Sequence, residues 1–350
     1  MWPYWLVFAL PLLLALSPRR LSNDATVVTL LAVGTVLVIF KGLRHQVGGD
    51  WGTYITHFER VSVQNFSDVL ATNDPAYYTI NWIVASLGGS IYSVNLICAV
   101  IVVTALLIFC RRQPLPWLAL LIALPYFYTI VTFGYVRQGV AASLLLIAFL
   151  ALERGSNYRF LFWVFASSLF HVSALAAAPF ALLSMTRRQR IFSFLVGSGL
   201  SIAVASVFWS DIMSLWRLYG ERGMESEGAL IRGLMNGIAG SLFLLFAYRL
   251  SDTVTQLRAW WWISLAGIIG MVAVLILPAT FTTLIDRLAV YLLPLQIFVF
   301  SRLHRAFPER EWKHAAYLGT IAAYTAVLFV WLNYAATAGR WVPYQLKLTL

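Results

Sequence analysis

Eleven long apolar runs constrain this chain more than any other feature of its sequence. They cover residues 1–16, 25–43, 77–110, 115–133, 136–152, 158–185, 191–209, 229–249, 259–278, 284–301 and 314–335. A transmembrane helix needs about 20 apolar residues. Only 11% of the residues are charged, against roughly 25% in soluble domains. We therefore predict an all-α integral membrane protein, a polytopic helical bundle of about 10–12 transmembrane segments, forming a single domain over residues 1–350.

Two runs are too long for one straight crossing. These are residues 77–110 and residues 158–185, and the latter contains His171 and Pro179. Irregular backbone at membrane depth is tolerated where protein surrounds it. We predict that residues 158–185 form a broken or re-entrant pair of half helices.

The distribution of basic residues predicts the orientation, because cytoplasmic loops are enriched in Lys and Arg. With a re-entrant sixth segment, one side holds 15 of the 25 basic but 5 of the 14 acidic residues. The outer loops are then residues 44–76 and 210–228, with both termini outside. The basic residues on the inner side are Arg19, Arg20, Arg111, Arg112, Arg154, Arg159, Arg187, Arg188, Arg190, Arg249, Arg258, Arg302, Arg305, Arg310 and Lys313, and the acidic ones are Asp24, Glu153, Asp252, Glu309 and Glu311.

Several functional classes are disfavoured. The net charge of +11 is scattered between apolar runs, so it does not form the basic patch typical of a nucleic-acid-binding protein. Cys98 and Cys110 fall in one apolar run and indicate neither a disulfide framework nor a metal site. There is no P-loop, dinucleotide fingerprint, HExxH motif or zinc-spaced cluster. We expect no cofactor, no metal and no nucleic-acid partner.

Arg137 is the first candidate functional residue. It precedes Gln138 at the start of the fifth run, and moving a guanidinium toward hydrocarbon costs ~2.5 to 3.5 kcal/mol. Helix-start amides and the helix dipole favour an anion at the same place. Arginine binds phosphate bidentately, so the position suits a diphosphate, although an arginine reaching lipid headgroups is the simpler alternative.

Other polar residues group on the predicted outer side. Residues 48–54 read GGDWGTY and place Asp50 beside glycines, either as a functional carboxylate or as part of a solvated turn. Asp74 precedes Pro75, which favours a helix cap. His171 lies among hydroxyl residues in an apolar run and suits a general base, although a buried histidine is more often structural.

Two further segments remain open to interpretation. Arg287 follows Asp286, so it either pairs with this neighbour or binds an anion at the outer end of a run. Residues 339–344 read GRWVPY, an amphipathic and aromatic segment that favours an interfacial anchor.

In its motifs the chain resembles the EpsG-like, Wzy-type family of bacterial exopolysaccharide and O-antigen polymerases. The resemblance rests on GGDWGTY at 48–54, RQGVA at 137–141, FHVSA at 170–174, Arg287 with Tyr291, and WVPY at 341–344, in order across most of the chain. Gly49 stands where the family more usually has threonine. The ordered set is more specific than any single motif.

The resemblance implies a fold of the GT-C-like polymerase/ligase type, in the bacterial inner membrane with its active site facing the periplasm. It also implies a glycosyltransferase that needs neither metal nor nucleotide and polymerises oligosaccharide repeat units linked to undecaprenyl diphosphate. The growing glycan would pass to the terminal sugar of another lipid-linked repeat, with release of undecaprenyl diphosphate. Besides donor, acceptor and bilayer, a chain-length regulator and a flippase are candidate partners.

Roles follow from the chemistry of the residues that match the family. Arg137, with Gln138, and Arg287, with Tyr291, would bind the diphosphate and stabilise the leaving group. His171 or Asp50 would accept the proton of the acceptor hydroxyl, or Asp50 would stabilise an oxocarbenium-like centre. Further substrate contacts are expected from Tyr54, and from Arg44, Arg60 and Arg340, which would guide anionic headgroups.

Two other functions remain possible on the sequence. A transferase using a polyprenyl-phosphate sugar donor would add a single sugar, and an Asp in the first outer loop is expected there too. A lipid-linked oligosaccharide flippase or transporter is less favoured, because transporters often show internal repeats and mid-membrane charges, whereas no repeat is evident here. An acyltransferase is weaker still.

Overall fold

Helices dominate the protein. The computed structural model describes residues 1–18, 21–184, 228–278 and 281–347, and these ranges contain no β-strand. Seven helices within them are long and apolar enough to cross a membrane. An all-α polytopic membrane fold is therefore confirmed, while the GT-C-like type stays a prediction.

The first of two compact units comprises Met1–Leu144, Leu169–Val172 and Arg310–Leu350. It contains long apolar helices, and a group of short helices follows the second helix, Asn23–Gly42. The helices are α1 (Trp2–Leu16), α2 (Asn23–Gly42), α3 (Trp51–Ser62), α4 (Phe66–Leu70), α5 (Pro75–Ser86), α6 (Ile91–Arg111), α7 (Pro116–Ala123), α8 (Thr132–Gly134), the first half of α9 (Val136–Leu152), and the later helix Arg310–Tyr334.

The second unit comprises Leu145–Ser168 and Ser173–Glu309. Beyond the end of α9 its described helices are α10 (Asn157–Ser168), α11 (Pro179–Leu183), α12 (Ala229–Leu250), α13 (Val254–Ile276), α14 (Thr282–Ala289) and α15 (Leu293–Phe300), and the helix Arg310–Tyr334 is α16. Small residues let α12 and α13 approach closely: a Cβ on Gly240 would lie 2.5 Å from the Ser264 carbonyl oxygen. Such contacts are typical of helix packing in membranes. The single-domain prediction stays a prediction.

The two overlong runs are both interrupted. The third divides into α5 and α6 at Gly88, whose φ of +72° favours glycine. The sixth ends its first helix at Ser168 and resumes as a 3₁₀ turn, Val172–Ala177, followed by α11. The predicted break of residues 158–185 is thus confirmed, and its re-entry stays a prediction. Residues 191–209 and 210–228, except for Gly228, lie outside the described residues, as do Arg19, Arg20, Arg187, Arg188 and Arg190.

The segment before Arg137 is wound unusually. Leu124–Val131 forms a π-helix between α7 and α8 and contains Pro125. Proline lacks a backbone N–H, so it cannot continue the regular α-helical hydrogen bonds. A new α-helix, α9, begins at Val136, so Arg137 lies in its first turn.

The C-terminal segment returns to the first loop. The His45 N–H donates to the Gln345 carbonyl at 2.8 Å, and the Gly48 N–H donates to the Arg340 carbonyl at 2.9 Å. Trp341 is 4% exposed, and its Nε1 donates to the Thr129 carbonyl at 3.1 Å. The interfacial-anchor interpretation is therefore wrong for Trp341, because its indole is enclosed by protein.

Candidate functional site

Asp74 is the centre of the site. Pro75 starts α5, so Asp74 occupies the cap position, yet its carboxylate makes no capping hydrogen bond to the helix. The side chain is 3% exposed and turns instead toward two cationic side chains. The helix-cap interpretation of this carboxylate is wrong, because its oxygens contact Arg137 and His171 instead of the N–H groups at the start of α5.

Arg137 is the strongest partner of that carboxylate. Its Nη1 lies 2.6 Å from Asp74 Oδ2 and 3.2 Å from the Tyr78 hydroxyl. Its backbone N–H donates to the Tyr54 hydroxyl at 3.4 Å. The close approach of this helix start depends on Gly139, because a Cβ there would lie 2.7 Å from Thr132 Cα. Arg137 thus lies at a helix start, as predicted, with 27% of its side chain exposed.

His171 is the second partner of Asp74. Its Nδ1 lies 3.3 Å from Oδ1 and 3.4 Å from Oδ2, and the Val172 N–H donates to Oδ1 at 3.3 Å. The Ala76 N–H also donates to the Leu169 carbonyl at 2.9 Å, which ties the break in the sixth run to the start of α5. A carboxylate on one ring nitrogen orients the imidazole and leaves Nε2 as the nitrogen for a substrate proton.

Tyr78 extends the cluster toward α3. Its hydroxyl lies 3.5 Å from His57 Nδ1, and the guanidinium carbons of Arg60 and Arg137 lie 5.8 and 5.7 Å from its ring centroid. With both histidines neutral, two guanidiniums face one carboxylate, so the cluster carries a formal net positive charge. Such a site favours an anion.

Burial shapes the ionisation of the α3 side chains. Burial raises the pKa of Tyr54 to about 12, since the charged phenolate is disfavoured away from water. Burial, followed by the positive charges of Arg137 and Arg60, lowers the pKa of His57. Tyr54 therefore stays a neutral hydroxyl that supports Arg137, and the neutral form of His57 is favoured.

Sequence reasoning missed the roles of Asp74, Tyr78 and His57. A usable signal was the spacing of Asp74 and Tyr78, because residues four apart lie on one side of a helix. On α3, His57 similarly follows Tyr54 by three positions. No sequence signal indicated that both pairs would face Arg137.

Asp50 lies at the start of α3, one turn before Tyr54. Its carbonyl accepts a hydrogen bond from the Tyr54 N–H at 3.1 Å, and its charge contributes to the raised pKa of Tyr54. Gly48, just before it, has a φ of +114°, and a Cβ there would lie 2.4 Å from the Phe133 carbonyl oxygen. Gly48 therefore fits where a larger residue would not. The role of Asp50, as base or as electrostatic stabiliser, stays a prediction.

Two expected headgroup contacts occupy different environments. Arg44 is 1% exposed, and its guanidinium donates to the carbonyls of Lys41 and Val47 at 2.6 and 3.1 Å. This placement corrects the expectation that Arg44 guides anionic headgroups, because its side chain is enclosed and holds the loop after α2. Arg340 is exposed beside Gly49, with Nη1 3.8 Å from the position of a Cβ there.

The second unit contains the remaining predicted residues. Asp286 Oδ1 lies 2.6 Å from Arg232 Nε, so this carboxylate forms an ion pair with α12. Arg287 is half-buried on α14, and the Tyr291 hydroxyl lies 2.7 Å from Ser173 Oγ. Back in the first unit, Gln138 is 7% exposed. Substrate contacts for Arg287, Tyr291 and Gln138 stay predictions.

Metal binding has no visible support in the ranges that the structure describes. They contain no group of three His, Cys, Asp or Glu side chains placed to hold a metal ion. Metal independence stays a prediction.

Comparisons with known proteins bear on the chain as a whole. The sequence pattern of the EpsG family matches residues 27–346. No curated protein and no solved structure matches. The matched range includes the Asp74, Arg137 and His171 cluster, and because it covers most of the sequence, this chain belongs to the EpsG family.

Proposed function

We propose that this protein polymerises oligosaccharide repeat units carried on undecaprenyl diphosphate, at the periplasmic face of the bacterial inner membrane. Membership of the EpsG family suggests a role like that of a polysaccharide polymerase. The helical, multi-pass architecture suits a lipid-linked substrate, since seven described helices could cross a membrane.

The contact of Arg137 and His171 with one carboxylate carries the proposal. An anion-binding guanidinium and a proton-accepting imidazole both touch Asp74, although they come from different segments of the chain. A transfer from a diphosphate leaving group needs these two groups near one reacting centre.

The chemistry assigns each group one task. The hydroxyl oxygen of the acceptor sugar attacks C1 of the donor glycan, and the bond from C1 to the diphosphate oxygen breaks. The leaving diphosphate keeps the electron pair, and Arg137 stabilises the charge that develops there. The hydroxyl proton passes to Nε2 of His171 and later to water.

Asp50 stays the alternative base. It belongs to the same loop and helix as Tyr54, whose hydroxyl supports the Arg137 backbone. Comparing the pH dependence of elongation in His171→Ala and Asp50→Asn decides between them. Loss of the base removes the ionisation on which the rate depends, whereas loss of an electrostatic stabiliser lowers the rate at every pH. Normal polymer length from His171→Ala would remove the base role of His171.

The decisive experiment uses purified protein and a synthetic lipid-diphosphate repeat, with products resolved by size. A ladder of products is expected without an energy source. A single added unit from a polyprenyl-phosphate sugar would instead establish the single-sugar transferase, and transport without elongation would establish a flippase.

Orientation needs its own measurement. Reporters fused within residues 44–76 are expected to read periplasmic, and a reporter fused after Arg190 is expected to read cytoplasmic. A periplasmic signal after Arg190 would overturn the proposed re-entrant segment and the orientation of the chain after it.

A further inference from the structure

The Asp74 carboxylate is less accessible than its cationic partner. Its side chain is 3% exposed, whereas that of Arg137 is 27% exposed. A ligand can therefore reach the guanidinium while the carboxylate stays enclosed. An anion that binds Arg137 must compete with a carboxylate already 2.6 Å away.

Asp74 has other donors that would remain after such competition. His171 Nδ1 and the Val172 N–H lie 3.3 Å from Oδ1. A carboxylate needs hydrogen bonds or a counter-charge to stay buried. Loss of the Arg137 contact therefore leaves Asp74 with partners, all in the His171 segment.

Resting on the proposed function, we propose that donor binding is an exchange of counterions. The donor diphosphate displaces Asp74 from Arg137. The negative charge of the released carboxylate then interacts with the imidazole of His171 without being offset by Arg137. His171 thereby becomes a stronger proton acceptor when the donor is bound. Asp74 is a positioning residue that couples donor occupancy to base strength.

Simple electrostatics gives the direction of this coupling. A nearby negative charge favours a protonated imidazole, and a nearby positive charge opposes it. In the free site, Arg137 offsets the charge of Asp74, whereas in the occupied site the diphosphate offsets Arg137. Since coupling is reciprocal, protonation of His171 also favours diphosphate binding.

Among the described residues, the other charged and titratable groups around Asp74 and Arg137 lie on α3 and α5. Tyr78 on α5 and Tyr54 on α3 contact Arg137, while His57 and Arg60 on α3 face Tyr78. They adjoin the Arg137 side of Asp74, whereas His171 approaches the carboxylate directly. Because Arg137 lowers the pKa of His57, diphosphate binding to Arg137 also favours proton uptake by His57. The uptake that belongs to His171 is therefore measured in a His57→Gln background.

Asp74→Asn separates this role from a purely structural one. The neutral amide no longer competes for Arg137, so inorganic diphosphate should bind about fivefold or more tightly, an ordinary size for coupled sites. Elongation of lipid-linked repeats should fall about 100-fold or more, as when acid–base catalysis is lost. Asp68→Asn, at an exposed acidic residue six positions away, should change neither quantity. Diphosphate binding that is unchanged or weaker in Asp74→Asn overturns the proposal.

A second measurement stays decisive even if Asp74→Asn fails to fold. Calorimetry of inorganic diphosphate binding in buffers of different ionisation enthalpy gives the protons taken up per ligand. His57→Gln should take up more protons than the double variant His57→Gln/His171→Gln. Equal uptake by these two proteins contradicts the exchange.

The outcomes also distinguish this inference from the proposed function. Diphosphate binding and proton uptake do not depend on elongation, so both are measurable in a protein that makes no polymer. A protein that elongates repeats without the predicted tightening in Asp74→Asn keeps the proposed function and loses the exchange.

Discussion

Asp74 Oδ2 lies 2.6 Å from Arg137 Nη1, although 63 positions separate the two residues in the chain. This contact joins the start of α5 to the start of α9. His171 reaches the same carboxylate from the break between α10 and the following 3₁₀ turn. Three interruptions of helical structure therefore meet at one buried charge.

Replacing Arg137 by lysine should abolish most polymerisation despite keeping the charge. A guanidinium offers a planar fork to phosphate oxygens, whereas an ammonium is a point charge. Loss of a transition-state donor costs about 10²- to 10³-fold in rate. Product ladders from Arg137→Lys and Arg137→Ala should both collapse, with exposed Arg154→Lys as the matched control. Wild-type polymer length from Arg137→Ala would eliminate the diphosphate role.

Removing the Tyr78 hydroxyl should weaken donor binding more than turnover. Tyr78→Phe loses the 3.2 Å bond from Arg137 but keeps the ring. A single hydrogen bond contributes about 0.5–1.5 kcal/mol, so KM for the lipid-linked donor should rise a few-fold with little change in kcat. Tyr77→Phe is the control, because it removes a neighbouring buried hydroxyl while the Tyr78 hydroxyl keeps its contact with Arg137. Equal effects of both variants would contradict the assigned contact.

Acidification should destabilise the protein through His57. Its pKa is lowered from an ordinary value of 6.5, by burial first and then by Arg137 and Arg60. The folded state therefore binds fewer protons than the unfolded state, and stability falls as the pH drops below about 6.5. Thermal unfolding in detergent between pH 7.5 and pH 5.5 should show a smaller loss for His57→Gln than for wild type. An identical pH dependence in the two proteins would be inconsistent with this assignment.

Two glycines of the GGDWG motif should respond oppositely to alanine. Gly48→Ala places a Cβ 2.4 Å from the Phe133 carbonyl oxygen at a φ of +114°. Strained positions of this kind cost about 1–3 kcal/mol. Gly52 lies within α3 with no heavy atom within 4 Å of the added Cβ, so Gly52→Ala should be neutral or stabilising. Unfolding midpoints of the two variants test the pair, and a tolerated Gly48→Ala would refute the backbone argument.

The sequence by itself determined the class of fold and most helix positions. Apolar runs long enough to cross a membrane occur at similar places in the sequence and in the structure, because hydrocarbon demands continuous apolar length. The break near His171 was also predictable, since residues 158–185 are too long for one crossing and contain polar groups.

Only the tertiary structure decided which polar residues meet. Local sequence rules predict that the Asp74 side chain caps α5, because the free backbone N–H groups of that helix start lie within a few residues of it. Pairing with Arg137 and His171 requires three distant segments to converge, and periodicity contains no information about that convergence. A buried carboxylate is retained where cations satisfy it, so packing, and not local preference, determined the role of Asp74.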